Sequence, residues 1–160
     1  MNEEPVITDP VVIHDGRQSP TAAAIQRGTG RLLLSAGFAS VPELSLANGR
    51  RADLMAVNAR GEVWIVEIKS SPADYLSDHK WRDYMDYCDR FYFAIPPEMD
   101  PSLIDDSAGL MIADAWGAEI VRDAVEEKLP GARRKAITLL FGRTASLRLQ
   151  ATLDPNANGL

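Results

Sequence analysis

Residues 50–71 read RRADLMAVNARGEVWIVEIKSS. Two apolar, β-branched runs flank the segment Asn58-Ala59-Arg60-Gly61-Glu62. A three-residue hairpin loop takes two residues in the right-handed region and then a left-handed one, usually Gly, as part of a G1 bulge. Ala59-Arg60-Gly61 fits. It puts Asn58 opposite Glu62 and, counting back along both strands, Asp53 opposite Glu67. Lys69 lies two residues beyond Glu67, so it points to the same sheet face. Charges in strands this apolar are costly unless they are paired or bind a metal.

The same rule applies one turn earlier. Ala47-Asn48-Gly49 is again three residues ending in Gly, so Leu46 faces Arg50 and Glu43 falls opposite Asp53. The two turns together predict a row of Glu43, Asp53 and Glu67, with opposed Cβ atoms about 4.5–5.5 Å apart. Leu44, Leu46, Leu54, Trp64, Val66 and Ile68 then form the opposite, core face. A one-residue slip in either turn would undo the row.

Carboxylates this close repel, and at least one should have a raised pKa. A hard divalent cation relieves the repulsion. Mg²⁺ (or Mn²⁺) suits oxygen ligands and keeps several waters beside one or two carboxylates. Such an ion polarises a phosphoryl oxygen and generates hydroxide from bound water. Lys69 would position the water or stabilise transition-state charge. The plain alternative is an exposed hairpin with ordinary surface charges. The apolar flanks, the matched turns and the third acid favour a metal site.

The rest of the chain bounds the reading. Its 160 residues suffice for one compact domain. The formal net charge of -6 argues against a general electrostatic nucleic-acid binder. Cys88 is the single cysteine, so no intrachain disulfide exists and a reducing cytoplasm is expected. The acidic start MNEEPVITDPVVIHDGRQ does not read as a signal peptide, and no apolar run is long enough to span a membrane.

Residues 1–18 read as a flexible arm, 19–152 as one domain and 153–160 as a disordered tail. A helix starts at Ser19-Pro20 and stops near Gly37. Strands follow over 43–46, 50–58 and 62–69, then a helix over 72–88 with Ser71 and Asp74 as a capping box. RFYFAIP (90–96) reads as a strand, GLMIAD (109–114) and AEIVRD (118–123) as a pair, and 131–150 as an amphipathic helix. The class is α/β, a mixed sheet flanked by helices, in the order α-βββ-α-β-ββ-α.

On a continuous second helix Lys80 and Tyr84 share a face, four residues apart. Both would then reach a phosphate backbone, while Trp81 and Cys88 pack in the core. A nucleophilic Cys88 would need a histidine base; His14 lies in the arm and His79 reads as a surface residue. Arg50 and Arg51 open the second strand, and Arg51 shares the parity of Asp53. Arg27, Arg31, Arg133, Arg134, Lys135, Arg143 and Arg148 are further candidates for phosphate contacts, or simply for solubility.

RRADLMAV…VWIVEIKSS resembles the D-x(n)-ExK core of the PD-(D/E)XK nuclease superfamily, similar in fold to restriction endonucleases. The longer stretch through KWRDYMDYCDRFYFAIP, GLMIAD, RDA and ARRKA resembles the MmcB family of bacterial DNA repair proteins, over about residues 20–150. The resemblance implies Asp53 and Glu67 as metal ligands and Lys69 as the catalytic lysine. It implies Lys80 and Tyr84 as a variant of a Gln-x-x-x-Tyr element. Many members put another acid on the first helix; residues 20–37 have none, and Glu43 would have to serve instead. The expected activity is Mg²⁺- or Mn²⁺-dependent DNA hydrolysis in repair, with DNA as partner. Cutting both strands would call for a homodimer, and a repair role for a repair-protein partner. The alternatives are a catalytically inactive DNA-binding or scaffold protein on this fold, and a small-molecule or RNA phosphodiesterase.

Overall fold

The computed structural model describes residues 18–157; most of the expected arm and the last three residues of the expected tail lie outside them. Helix α1 (Pro20–Ser35) leads into strands β1 (Phe38–Ser45), β2 (Arg51–Asn58) and β3 (Val63–Ile68). Helix α2 (Pro72–Ser77) and a 3₁₀ segment (Trp81–Tyr87) precede β4 (Arg90–Ile95). Strands β5 (Gly109–Ala113) and β6 (Ala118–Arg122) and helix α3 (Gly131–Leu153) complete the order read from the sequence. The six strands lie in one mixed sheet in chain order, β1 to β6. β3, β4 and β5 run parallel; the other neighbours are antiparallel.

Local chemistry sets the element ends. The Ser19 hydroxyl accepts from the Ala22 amide and Pro20 occupies the first turn of α1. Gly49 and Gly61 take φ of 83° and 82°, the left-handed position that each three-residue loop requires. The resulting registers are those the turns predict: Leu44 pairs with Ala52, and Leu54 with Val66.

The sheet separates two cores. On one side α1 buries Ile25 and Leu33 against Leu54, Val66, Ile68, Tyr92 and Met111. On the other, the 3₁₀ segment and α3 cover Met55, Val63, Ile65, Phe91 and Phe93 with Trp81, Tyr84, Cys88 and Ile137. Trp81 and Cys88 are core residues, as expected.

Three expectations change. Strand β1 begins at Phe38, five residues before the expected start, and runs through Pro42. It is an edge strand, where a residue with no amide hydrogen is tolerated. Leu44 and Leu46 join the core on the α3 side, not the side of Leu54 and Val66. Glu43 has φ of 50°, and it and Asp53 drop out of the pairing of β1 with β2 without a change of register; past this step the in-out alternation of both strands changes, with Leu44 and Ala52 on the α3 side. The single helix expected over 72–88 breaks at 78–80 and resumes as a 3₁₀ helix. With three residues per turn, Lys80 and Tyr84 no longer share a face.

Candidate metal-dependent site

Beyond Leu54 and Val66 the regular pairing of β2 with β3 gives way to side chains. The Asp53 amide donates to Glu67 Oε1 at 2.9 Å, and the Ile68 amide donates to Asp53 Oδ2 at 2.8 Å. Each strand thus satisfies an amide of the other with a carboxylate, and the two acids stand side by side where the strands part. Asp53 is half-buried and Glu67 only 5% exposed. Burial pushes the Glu67 carboxyl well above the usual range, and the nearby Asp53 charge adds to the rise. Burial also raises Asp53, against the lowering pull of the Ile68 amide. A carboxylate pair whose ionisation is opposed by burial is the electrostatic setting a cation relieves.

Lys69 directly follows β3, and its charge acts on both acids. Its ammonium lies 2.8 Å from Asp78 Oδ2 and 4.0 Å from Asp74 Oδ1. Burial opposes its charge, yet the Asp78 bond and the Asp78, Asp74 and Glu67 charges hold its pKa above the usual lysine value. Neither aspartate is among the site residues that the sequence points to. Asp74 was visible only as a cap: its amide donates to Ser71 Oγ, and its carboxylate accepts from the Ser70 amide. Asp78 carried no local signal.

The remaining candidates are dispersed. Glu43 is half-buried; its carbonyl accepts from Arg148 at 2.7 Å, and its Oε2 is a buried acceptor with no donor. Among the described residues no group of three or more His, Cys, Asp or Glu side chains is placed to hold a metal. Tyr84 is buried and donates its hydroxyl to the Arg51 carbonyl at 2.9 Å. Lys80 is exposed ahead of the 3₁₀ segment. Arg50 is tied to Asp83 at 3.1 Å, and Arg51 is exposed.

Two arginines considered for phosphate contacts are built into the fold instead. Arg134 grips Asp89 through two bonds of 2.7 Å and also donates to the Gly61 carbonyl. Arg148 donates to the Pro42 and Glu43 carbonyls. Arg82 reaches Asp105 at 2.9 Å across the face of Trp81.

These features define a mixed α/β sheet domain with a carboxylate pair shared by β2 and β3 and a lysine just past the carboxyl end of β3. The sequence profile of DNA repair protein MmcB-like matches residues 9–156, and the chain belongs to the MmcB-like family. A solved structure of the SPO1766 protein of unknown function from Silicibacter pomeroyi is 43% identical, with a TM-score of 0.85. The match covers 89% of this chain and 97% of that one. No curated protein matches. No described helix is long and apolar enough to cross a membrane.

Proposed function

We propose that this chain hydrolyses phosphodiester bonds of DNA in repair, as a Mg²⁺- or Mn²⁺-dependent nuclease of the PD-(D/E)XK type. The observation that carries the reading is the reciprocal pairing of Asp53 and Glu67, with the Lys69 charge acting on both. Each acid commits one oxygen to an amide of the opposite strand. Asp53 Oδ1 and Glu67 Oε2 are the oxygens that would hold a cation, and two hard carboxylate ligands suit either metal. A cation there supplies Lewis acidity toward a phosphoryl oxygen and acidifies a bound water.

The chain's own groups supply the rest. Burial opposes the ionisation of both acids, and a bound cation would offset that cost. Lys69 stays protonated and would neutralise charge developing on the phosphate. The amide bonds hold Asp53 and Glu67 in place before substrate arrives.

The test is cleavage of single-stranded, nicked, branched and damaged DNA with either metal, beside Asp53→Asn, Glu67→Gln and Lys69→Ala. We expect each variant to lose activity, Lys69→Ala by about 10²–10³-fold. Activity unchanged in Asp53→Asn and Lys69→Ala would place the chemistry elsewhere.

A second reading is a catalytically inactive DNA-binding or scaffold protein on the same fold. It is favoured by the Lys69–Asp78 ion pair, which already occupies the lysine, and by the lack of a three-residue ligand set among the described residues. It predicts salt-sensitive DNA binding without metal-dependent cleavage.

A further inference from the structure

The turn joining β5 to β6 carries Trp116, which is 77% exposed. Its backbone is held: the Trp116 and Gly117 amides donate to Asp114 Oδ1 at 2.8 and 3.0 Å. Arg31 on α1 donates to the Trp116 carbonyl at 3.1 Å, and its guanidinium carbon stands 5.8 Å from the indole centroid. One turn earlier, Gly28 lies so close to this turn that a Cβ would meet the Asp114 and Gly117 carbonyl oxygens at 1.9 and 2.4 Å. Helix and turn are therefore in direct backbone contact, which fixes Arg31 relative to Trp116.

The surroundings are locally basic on a chain of net charge -6. Arg27 lies four residues before Arg31 on the same side of α1, and both are exposed. Residues 19–37 contain no Asp or Glu, and neither arginine forms an ion pair among the described residues. The nearby acids are Asp114, whose carboxylate accepts from the turn amides, and the exposed Glu119 on β6.

The turn also has a position relative to the carboxylate pair. β3, β4 and β5 are parallel, so Lys69 and the Ala113–Trp116 turn leave the same edge of the sheet. Two strand spacings, about 10 Å, separate β3 from β5.

We propose that Trp116, with Arg31 and Arg27, is a stacking platform for an unpaired base of single-stranded DNA. An exposed indole offers a face to any unstacked base, and adjacent arginines meet its phosphates. Bases inside a duplex are not available to it. The platform rests on the reading that DNA is the substrate.

Fluorescence anisotropy with a labelled short oligothymidylate and a duplex of similar length tests it, using the full chain, Trp116→Ala, Trp116→Phe and Arg31→Gln. Trp116→Ala should weaken single-strand binding about fivefold or more while leaving duplex binding unchanged. Trp116→Phe should keep most of the affinity, and Arg31→Gln should lower both affinity and its salt dependence. Equal single-strand affinity in Trp116→Ala and wild type overturns the platform. So does no single-strand binding by wild type, or an equal loss on duplex. Metal-dependent cleavage with no effect of Trp116→Ala would sink the platform and keep the nuclease. Trp116-dependent single-strand binding without cleavage would do the reverse.

Discussion

Lys69 Nζ and Asp78 Oδ2 stand 2.8 Å apart, across the point where α2 gives way to the 3₁₀ segment. Asp78 is extended, with ψ of 103°, and its other oxygen accepts from the Lys80 amide. The ion pair and the helix break are therefore one feature: the aspartate leaves the helix to reach the lysine. Asp78→Asn removes the charge that matches a lysine only 7% exposed. We expect a loss of about 2–4 kcal/mol in urea unfolding, because one member of a largely buried pair is left alone. An unchanged unfolding midpoint would show that Asp74 suffices.

The acid pair makes stability depend on pH with a defined sign. Asp53 and Glu67 have raised pKa values in the folded chain, so the folded state holds more protons than the unfolded one. Their burial costs nothing extra below the usual carboxylate range. It destabilises progressively as pH rises through that range toward the raised values. In chelator, thermal unfolding of the wild type should lose ground to Glu67→Gln as pH rises from about 4 to 8. Adding Mn²⁺ at the upper end should raise the wild-type midpoint and not that of Glu67→Gln. Parallel curves and no metal response would contradict the account.

Asp89 behaves in the opposite sense. It is 2% exposed, grips Arg134, and accepts from the Val63 and Leu129 amides. Burial works against its ionisation, but Arg134 and the two amides outweigh it and hold the carboxyl below the usual range. Its contribution is present above that range and is lost as pH falls through it to the lowered folded value. Asp89→Asn should cost about 3 kcal/mol or more at neutral pH, by calorimetry, because Arg134 then faces a neutral partner. The difference between variant and wild type should shrink in acid; a constant difference would mean that charge is not the cause.

Gly28 faces the Asp114 and Gly117 carbonyl oxygens, neither of which is the end of a flexible side chain. Gly28→Ala should therefore push α1 from the β5–β6 turn despite alanine's better helix propensity. A loss of about 2 kcal/mol or more is expected in chemical denaturation. Gly30 has open space around it, and Gly30→Ala should stabilise by about 0.5–1 kcal/mol. Equal effects at the two positions would refute the close approach.

Much of the sheet was legible because its turns announce themselves. Gly49 and Gly61 occupy the left-handed positions that fix two registers, and those registers put Asp53 beside Glu67. The backbone at Glu43 was not legible: a glutamate gives no local sign of positive φ, and past the unpaired Glu43/Asp53 step both Leu44 and its partner Ala52 lie in the other core from Leu54. The break at Asp78 was hidden for a different reason. Asp78 turns its carboxylate to the Lys80 amide and to Lys69, and the second of these is a tertiary contact that no local pattern shows. Arg134 and Arg148 read as surface cations because their partners, Asp89 and the carbonyls of β1, lie 45 and 106 residues away or nearly so.

The agreement between sheet order and chain order has a kinetic consequence. Every strand pairs with its neighbour in sequence; β1, β2 and β3 join through short turns and can grow by local closures, whereas the parallel pairings of β4 with β3 and of β5 with β4 close longer crossovers at a higher loop-entropy cost. Docking of α3 on β1 is different in kind, since Arg148 must find Pro42 across the length of the domain. A folding nucleus drawn from β2 and β3 would then assemble the Asp53–Glu67 pair early, and the clasp of the last helix on the first strand would follow.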